Sequence, residues 1–386
     1  MKMKNVLIVG AGRLGKGFVG ETFFNAGWKL TFLDRDPRVI QELKKRNYYD
    51  VKVHTTDDVY TTRVEGYEAV LTDENYSVMD SFLSTDLLMM TLYPQDFQAS
   101  AEYLAKCFNK QYKAKPNSKK TLICLTNKNH IINEITSHFR KCLLDDDVRA
   151  WFDKNVVIRD SIVRRSTDAE DSYSTDLVTT AVASLIIQGP VYSDFSDVEW
   201  LDVRDNVEML KDIKVFTING PHAATAYYGY LKGYKDISSA QSDPEVSKLV
   251  KKVHDATLHA VLFEYPVTRD EIRELEYLPK AKNEMPDAIY RVAFDPIRKV
   301  GASDRFMGVI TLCEKYGIDY GGIAKAIACA FAYDDPNDAN ALELQAEISS
   351  QGLSSTIAKY IGRHEGDQVV GEILKEYKKM EAQGII

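Results

Sequence analysis

The sequence predicts an α/β protein, with a doubly wound sheet in its N-terminal half and a mostly α-helical C-terminal half, on three observations. Short apolar runs alternate with apolar residues at helical spacing as far as Ile187. A glycine-rich turn joins the first such run to the first helix, and beyond Leu210 the periodicity is helical almost to the end. Gly189-Pro190 and the acidic stretch Ser193 to Asp205 mark a change of composition, so the expected domains are residues 1–192 and 193–386.

The elements follow in order. Val6 to Val9 is a continuous apolar run too short for a helix, bounded by Gly10, and reads as a strand buried on both faces. Leu14, Phe18, Val19 and Phe23 then recur at helical spacing, Gly27 punctuates the end, and Leu30 to Asp34 is a second strand. Pro37 suits the first turn of a further helix with Val39, Ile40 and Leu43 on one stripe. From Tyr49 to Val70, Val, Thr and Tyr alternate with polar residues, which predicts an insert of short antiparallel strands. Asp86 to Thr91, Thr121 to Leu125 and Val156 to Ile158 read as buried strands, with a helix ending before the loop Lys113 to Ser118. Leu177 to Ile187 supplies more strand, and Val246, Leu249, Val250, Val253 and Ile323, Ala326, Ile327, Ala330 typify the helical half.

Composition narrows the function. Of 386 residues, 45% are hydrophobic and 27% charged, as in ordinary globular domains, so the chain should fold throughout. The net charge of −8 argues against a broad nucleic-acid or anionic-membrane surface and leaves room for a small basic pocket. No apolar stretch approaches a membrane span of roughly 18 to 20 residues, and the basic N-terminus lacks the apolar core and cleavage site of an export signal. Cys107, Cys124, Cys142, Cys313 and Cys329 are odd in number and lack paired spacing, which predicts reduced thiols in a cytoplasmic protein and no metal site.

Gly10-Ala11-Gly12-Arg13-Leu14-Gly15 is G-x-G-x-x-G between a predicted strand and a predicted helix, the context of a Rossmann-type dinucleotide site. The first glycine permits the tight turn, the second lets backbone approach a pyrophosphate, the third lets helix pack on strand, and the helix N-terminus offers free N–H groups. Asp34 follows Gly12 by 22 positions at the end of the second strand, where a carboxylate accepts hydrogen bonds from the adenosine ribose and repels a 2′-phosphate. NAD is therefore the expected cofactor, although Arg35 beside it is the residue type that accommodates the extra phosphate.

Lys214, Asn219 and His222 are separated by five and three positions near the start of the helical half. On a regular helix they would stand at about 0°, 140° and 80°, although Gly220-Pro221 also reads as the start of a new helix. A desolvated lysine serves as a general base, and Asn and His donors hold an oxygen where negative charge develops. A solvated lysine and a helix-capping histidine account for the same residues without chemistry. Arg298, Lys299 and Arg305 form a compact basic cluster that either grips a phosphate or lies on a solvated surface with Asp295 and Asp304 as partners.

The trio matches the K-x-x-x-x-N-x-x-H signature of the polyol-specific long-chain dehydrogenase/reductase family, which the chain resembles along nearly its whole length. The similar stretches are Val9 to Gly12 with Gly15 to Gly20, Leu30 to Phe32, Lys214 to His222 with Ala226-Tyr227, Pro296 to Lys299, and Asp304-Arg305. The resemblance implies a Rossmann domain, a helical domain with a cleft between them, no metal, Lys214 as base, and Asn219 and His222 on the reacting oxygen. It also implies a role for Asn127, at the carboxyl end of a strand, towards nicotinamide or substrate. This sequence departs from the family at Val163-Arg164-Arg165, where the family has an acid in place of Arg164, at Thr126-Asn127-Lys128, and in the apolar Ala183 to Ile187. Arg164, Arg165 and Lys128 would suit an anionic substrate.

The function so implied is NAD-dependent interconversion of a polyol phosphate and a ketose phosphate, with D-mannitol 1-phosphate and D-fructose 6-phosphate as the leading pair. The alternatives are a dehydrogenase of a free hexitol, a hexuronate reductase, and a module that senses NAD without turnover. The expected partner is a small polyol or sugar phosphate, with no nucleic acid or membrane, in a monomer or small homo-oligomer.

Overall fold

The first apolar run is a strand of a six-stranded sheet in the computed structural model, which describes residues 4–171, 173–283 and 287–386. In chain order the strands are β1 (Asn5–Val9), β2 (Lys29–Asp34), β3 (Tyr48–His54), β4 (Val59–Glu65), β5 (Glu68–Leu71), β6 (Leu87–Met90), β7 (Lys120–Cys124) and β8 (Val156–Arg159). The main sheet runs β5-β2-β1-β6-β7-β8, every neighbouring pair parallel. Along β1, Val6 and Ile8 enter one apolar core while Leu7 and Val9 enter the other, so both faces are covered and the strand reads as an unbroken apolar run. Strand order reverses between β1 and β6, and the turns after those two strands meet there.

Most of the expected elements are present. The helix Pro37–Arg46 buries Val39, Ile40 and Leu43, starts on an Asp36 side chain that accepts the Arg38 N–H, and stops at Asn47 in the left-handed region at φ 58°. β3 and β4 pair antiparallel as the alternation predicts, whereas β5 departs from the expected insert and joins the main sheet parallel to β2. Further along the chain come β9 (Ser161–Val163), β10 (Thr167–Asp168) and β11 (Asp176–Thr180); β10 and β11 complete the insert's sheet in the order β10-β11-β3-β4, whereas β9 belongs to a separate small sheet.

The chain divides into two compact units later than the expected boundary at 192/193. β12 (Leu185–Gln188) pairs with β9 on one side and with β13 (Leu201–Arg204) on the other, which keeps the acidic stretch with the first unit. That unit runs to Lys211 and takes back the segment from Leu278, whose Lys282 N–H bonds the Thr55 carbonyl at 2.7 Å. The second unit begins at Asp212 and is helical among its described residues. The small residues of Gly220–Leu231 let that helix pack closely on Pro244–Glu264 and on the buried, alanine-rich Gly321–Phe331. Among the described residues no helix is long and apolar enough to cross a membrane.

The glycine turn after β1 is close-packed. Gly10 has φ +98°, and a Cβ on Gly15 would stand 2.0 Å from the Gly10 carbonyl oxygen, whereas a Cβ on Gly12 would meet nothing within 4 Å. Gly15→Ala should therefore lower the unfolding free energy by at least about 2 kcal/mol, because the opposing atom is backbone. Gly12→Ala should stay within about 0.5 kcal/mol of wild type. Urea titrations of both variants check this, and equal effects would contradict the packing described.

Candidate active site

In the first unit, the backbone of the glycine turn is fixed from two sides. Gly10 N–H bonds the Leu33 carbonyl at 2.8 Å, and the Thr91 hydroxyl after β6 donates to the Gly10 carbonyl at 2.6 Å. Asp34, at the end of β2, accepts the Ala11 N–H at 2.7 Å through one carboxylate oxygen and the Asp36 N–H at 2.9 Å through the other. The expected ribose-binding carboxylate thus also holds the glycine turn, a role that spacing alone does not reveal. The helix opens at Arg13, so the first N–H groups of its leading turn have no intrahelical acceptor. Leu14 packs on the core, and the Arg13 guanidinium lies 3.3 Å from the Asp168 carboxylate.

That helix widens into a π turn over Gly15–Gly20, closed by the Glu21 N–H on the Lys16 carbonyl. Lys16 is fully buried beneath the turn, with its amine donating to the Ser174 carbonyl at 2.7 Å. Burial pushes its pKa down to about 8 against the pull of Asp34 and Asp171. In the sequence Lys16 stands within the Gly15 to Gly20 stretch without a role of its own, and its position after the third glycine is the signal that marks it out. Asn127 is exposed in the loop after β7, next to Thr126, whose hydroxyl accepts the Lys128 N–H at 3.2 Å.

The helix Val207–Lys214 is seated at its start by the ends of three strands. Gln188 of β12 accepts the Val207 N–H at 2.8 Å, Asn129 beyond β7 donates to the Glu208 carbonyl at 2.9 Å, and Asp160 beyond β8 pairs with Lys211 at 2.7 Å. The last pair is almost wholly buried, which fixes that turn of the helix firmly.

Lys214 ends the helix, and Val215–Asn219 forms a second π turn that leads directly into Gly220–Leu231. The Gly220 N–H reaches back five residues to the Val215 carbonyl. Pro221 has no N–H to give to a regular turn, and the widened turn carries the helix through it, so the chain neither breaks nor restarts there. This overturns the even winding assumed from the sequence. One extra residue in the turn sets back everything beyond it by about 100°, moving Asn219 and His222 from about 140° and 80° to about 40° and −20° relative to Lys214. The three side chains therefore share one face.

His222 Nε2 lies 3.5 Å from the Asp287 carboxylate, which itself pairs with Arg291 at 2.6 Å. Burial holds the His222 pKa below its ordinary value, opposed by Asp287 and reinforced by the charges of Arg291, Arg305 and Lys214. This favours the neutral imidazole, in which one nitrogen donates and the other accepts. Arg305 comes to this face because its backbone packs on Gly220, where a Cβ would stand 3.3 Å from the Arg305 carbonyl. Its Nε bonds Asp304 at 2.8 Å, and among the described residues its terminal nitrogens have no recorded partner. Asp287 and Arg291 were missed, since an Asp and an Arg four positions apart look like any surface pair.

The structure corrects two of the four expected phosphate ligands. Lys299 is buried and turned inward, its amine donating to the Val292 carbonyl at 2.7 Å and also to that of Phe294, with burial and the neighbouring Arg305 and Arg298 pushing its pKa down to about 6. Arg165 is buried against Glu21 at 2.7 Å, with Thr22 and Thr179 completing its hydrogen bonds. Arg298 stays exposed but is paired with Asp295 at 3.0 Å and Asp304 at 3.4 Å. Only Arg305 of the four stands beside His222 with donors to offer.

Residues 4–185 match the family model described as the mannitol dehydrogenase Rossmann domain, and residues 206–381 match the mannitol dehydrogenase C-terminal domain. A mannitol-1-phosphate 5-dehydrogenase from Thermoanaerobacter pseudethanolicus is 26% identical over 380 residues, 96% of each chain. Among solved structures, Pseudomonas fluorescens mannitol 2-dehydrogenase in ternary complex with NAD and D-mannitol superposes with a TM-score of 0.75 at 16% identity, covering 99% of this chain and 93% of that one. A substrate-free D-sorbitol dehydrogenase gives 0.72 at 14% identity, covering 99% and 94%. At such identities these two establish the fold.

Arg165→Met should strand the Glu21 carboxylate in the core and lower the unfolding free energy by about 3–5 kcal/mol. Denaturant titration measures it, and a stable variant impaired only in substrate binding would return Arg165 to the open site.

Proposed function

The chain belongs to the mannitol dehydrogenase family of oxidoreductases, and from that premise we propose that it interconverts a polyol phosphate and a ketose phosphate with NAD, the pair being D-mannitol 1-phosphate and D-fructose 6-phosphate. What supports the reading is the π turn Val215–Asn219, whose winding turns Lys214, Asn219 and His222 towards one side of the helix, with Arg305 near His222. Lys214, as the neutral amine, takes the proton of the reacting hydroxyl. Asn219 and His222 donate hydrogen bonds to the same oxygen as it becomes a carbonyl, and hold it where charge develops in either direction. Asp287 orients the imidazole.

NAD, when bound, supplies the acceptor for the hydride that leaves the carbon. The residues present fit it: Gly10 makes the turn, the open side of Gly12 admits a pyrophosphate to the free N–H groups of the helix, and the Asp34 carboxylate stands at the end of β2. The phosphate end of the substrate is assigned to Arg305, whose terminal nitrogens suit a bidentate contact.

Lys214→Ala should keep NADH binding and lose about 10² to 10⁴ in turnover, measured by NADH formation over a panel of polyols, their phosphates and aldonates. Full activity in that variant would remove the assigned base. Arg305→Ala should raise KM for the phosphate ester at least tenfold while changing activity on the free polyol little. Equal losses in kcat/KM on both substrates would make Arg305 structural and favour the free hexitol.

A further inference from the structure

Arg35 directly follows Asp34 and is the residue type that turns a ribose site towards a 2′-phosphate. Its side chain is two-thirds exposed, yet its guanidinium is held at 2.7 Å by Asp96, which is 17% exposed. Asp96 closes the 3₁₀ turn Pro94–Asp96 that leads into the helix Phe97–Ala114. Although it occupies the first position before that helix, its side chain makes no capping hydrogen bond, so its carboxylate is left for Arg35. Asp34, in contrast, is immobilised by the Ala11 and Asp36 N–H groups. The two carboxylates thus flank the Arg35 backbone and its charge, one from the neighbouring residue and one from the turn after β6.

We infer that Asp96 is a cofactor-specificity residue, which keeps Arg35 engaged and so denies a 2′-phosphate its natural cationic partner. The inference rests on the NAD reading given above. A 2′-phosphate approaching Arg35 would have to displace Asp96 and then lie near two carboxylates. The exposed ion pair alone accounts for a factor of about five at most, and repulsion between the phosphate dianion and a second carboxylate adds to it. Arg35 released from Asp96 would be able to fork onto the phosphate.

The test is calorimetric titration of the intact protein with NADH and with NADPH. Asp96→Asn should tighten NADPH about tenfold and leave NADH within about twofold, because the substitution removes no cap and no buried contact. Replacing Arg35 by Ala in the Asp96→Asn background should cancel the gain. An affinity ratio unchanged by Asp96→Asn, or a gain that survives without Arg35, would overturn the role of Asp96. Wild-type protein that bound NADPH as tightly as NADH would instead defeat the NAD reading, while the shift caused by Asp96→Asn would still report on Asp96 independently.

Discussion

The contact on which the first unit depends is the approach of the Gly15 backbone to the Gly10 carbonyl, so close that no side chain fits between them. The same carbonyl accepts the Thr91 hydroxyl, so the end of β1, the start of the first helix and the turn after β6 converge on one peptide group. Asp34 adds the end of β2 through the Ala11 N–H. Four chain segments are thereby brought to the place where strand order reverses, where Gly12 keeps an open side. The cofactor turn is rigid because the fold needs it to be, before any ligand arrives.

Basic side chains in this acidic protein fall into two groups that composition does not separate. Lys16, Lys120, Arg165, Lys211 and Lys299 are buried, and their charges or donors are committed to carbonyls and carboxylates inside the fold. Lys120 shows the cost of that placement, since burial pushes its pKa down to about 7. The remaining cations are free to recognise an anion only where their partners leave nitrogens over, which is why Arg305 differs from its neighbours Arg298 and Lys299.

How much of this was legible in the sequence follows from the range of each interaction. β1, β2, β6 and β7 declare themselves because both-face burial needs only a local apolar run, and the helix Pro37–Arg46 because its cap, proline and stripe lie within ten residues. β5 reads like its neighbours in the insert, and only the free edge of β2 decides where it goes. Arg165 reads as a substrate ligand in the sequence because its carboxylate partner lies 144 positions away. The Lys214, Asn219 and His222 pattern was recognisable as a signature, but its geometry was not, since the widened turn answers to a proline two residues past its end.

The widened turn before Gly220 also ties the spacing of the proposed catalytic residues to the core of the helical unit. Deleting any one residue between Val215 and Asn219 would restore ordinary winding, and the whole of Gly220–Leu231 would then swing by about 100° and slide by about 1.5 Å. His222 would leave the face of Lys214, and in the same movement Ala223, Ala224, Ala226 and Tyr227 would leave the places their neighbours are shaped to receive. Length in this stretch of chain is consequently frozen from two sides: an insertion or deletion of a single residue takes His222 off the face of Lys214 and the buried side chains of the following helix off their packing in the same step.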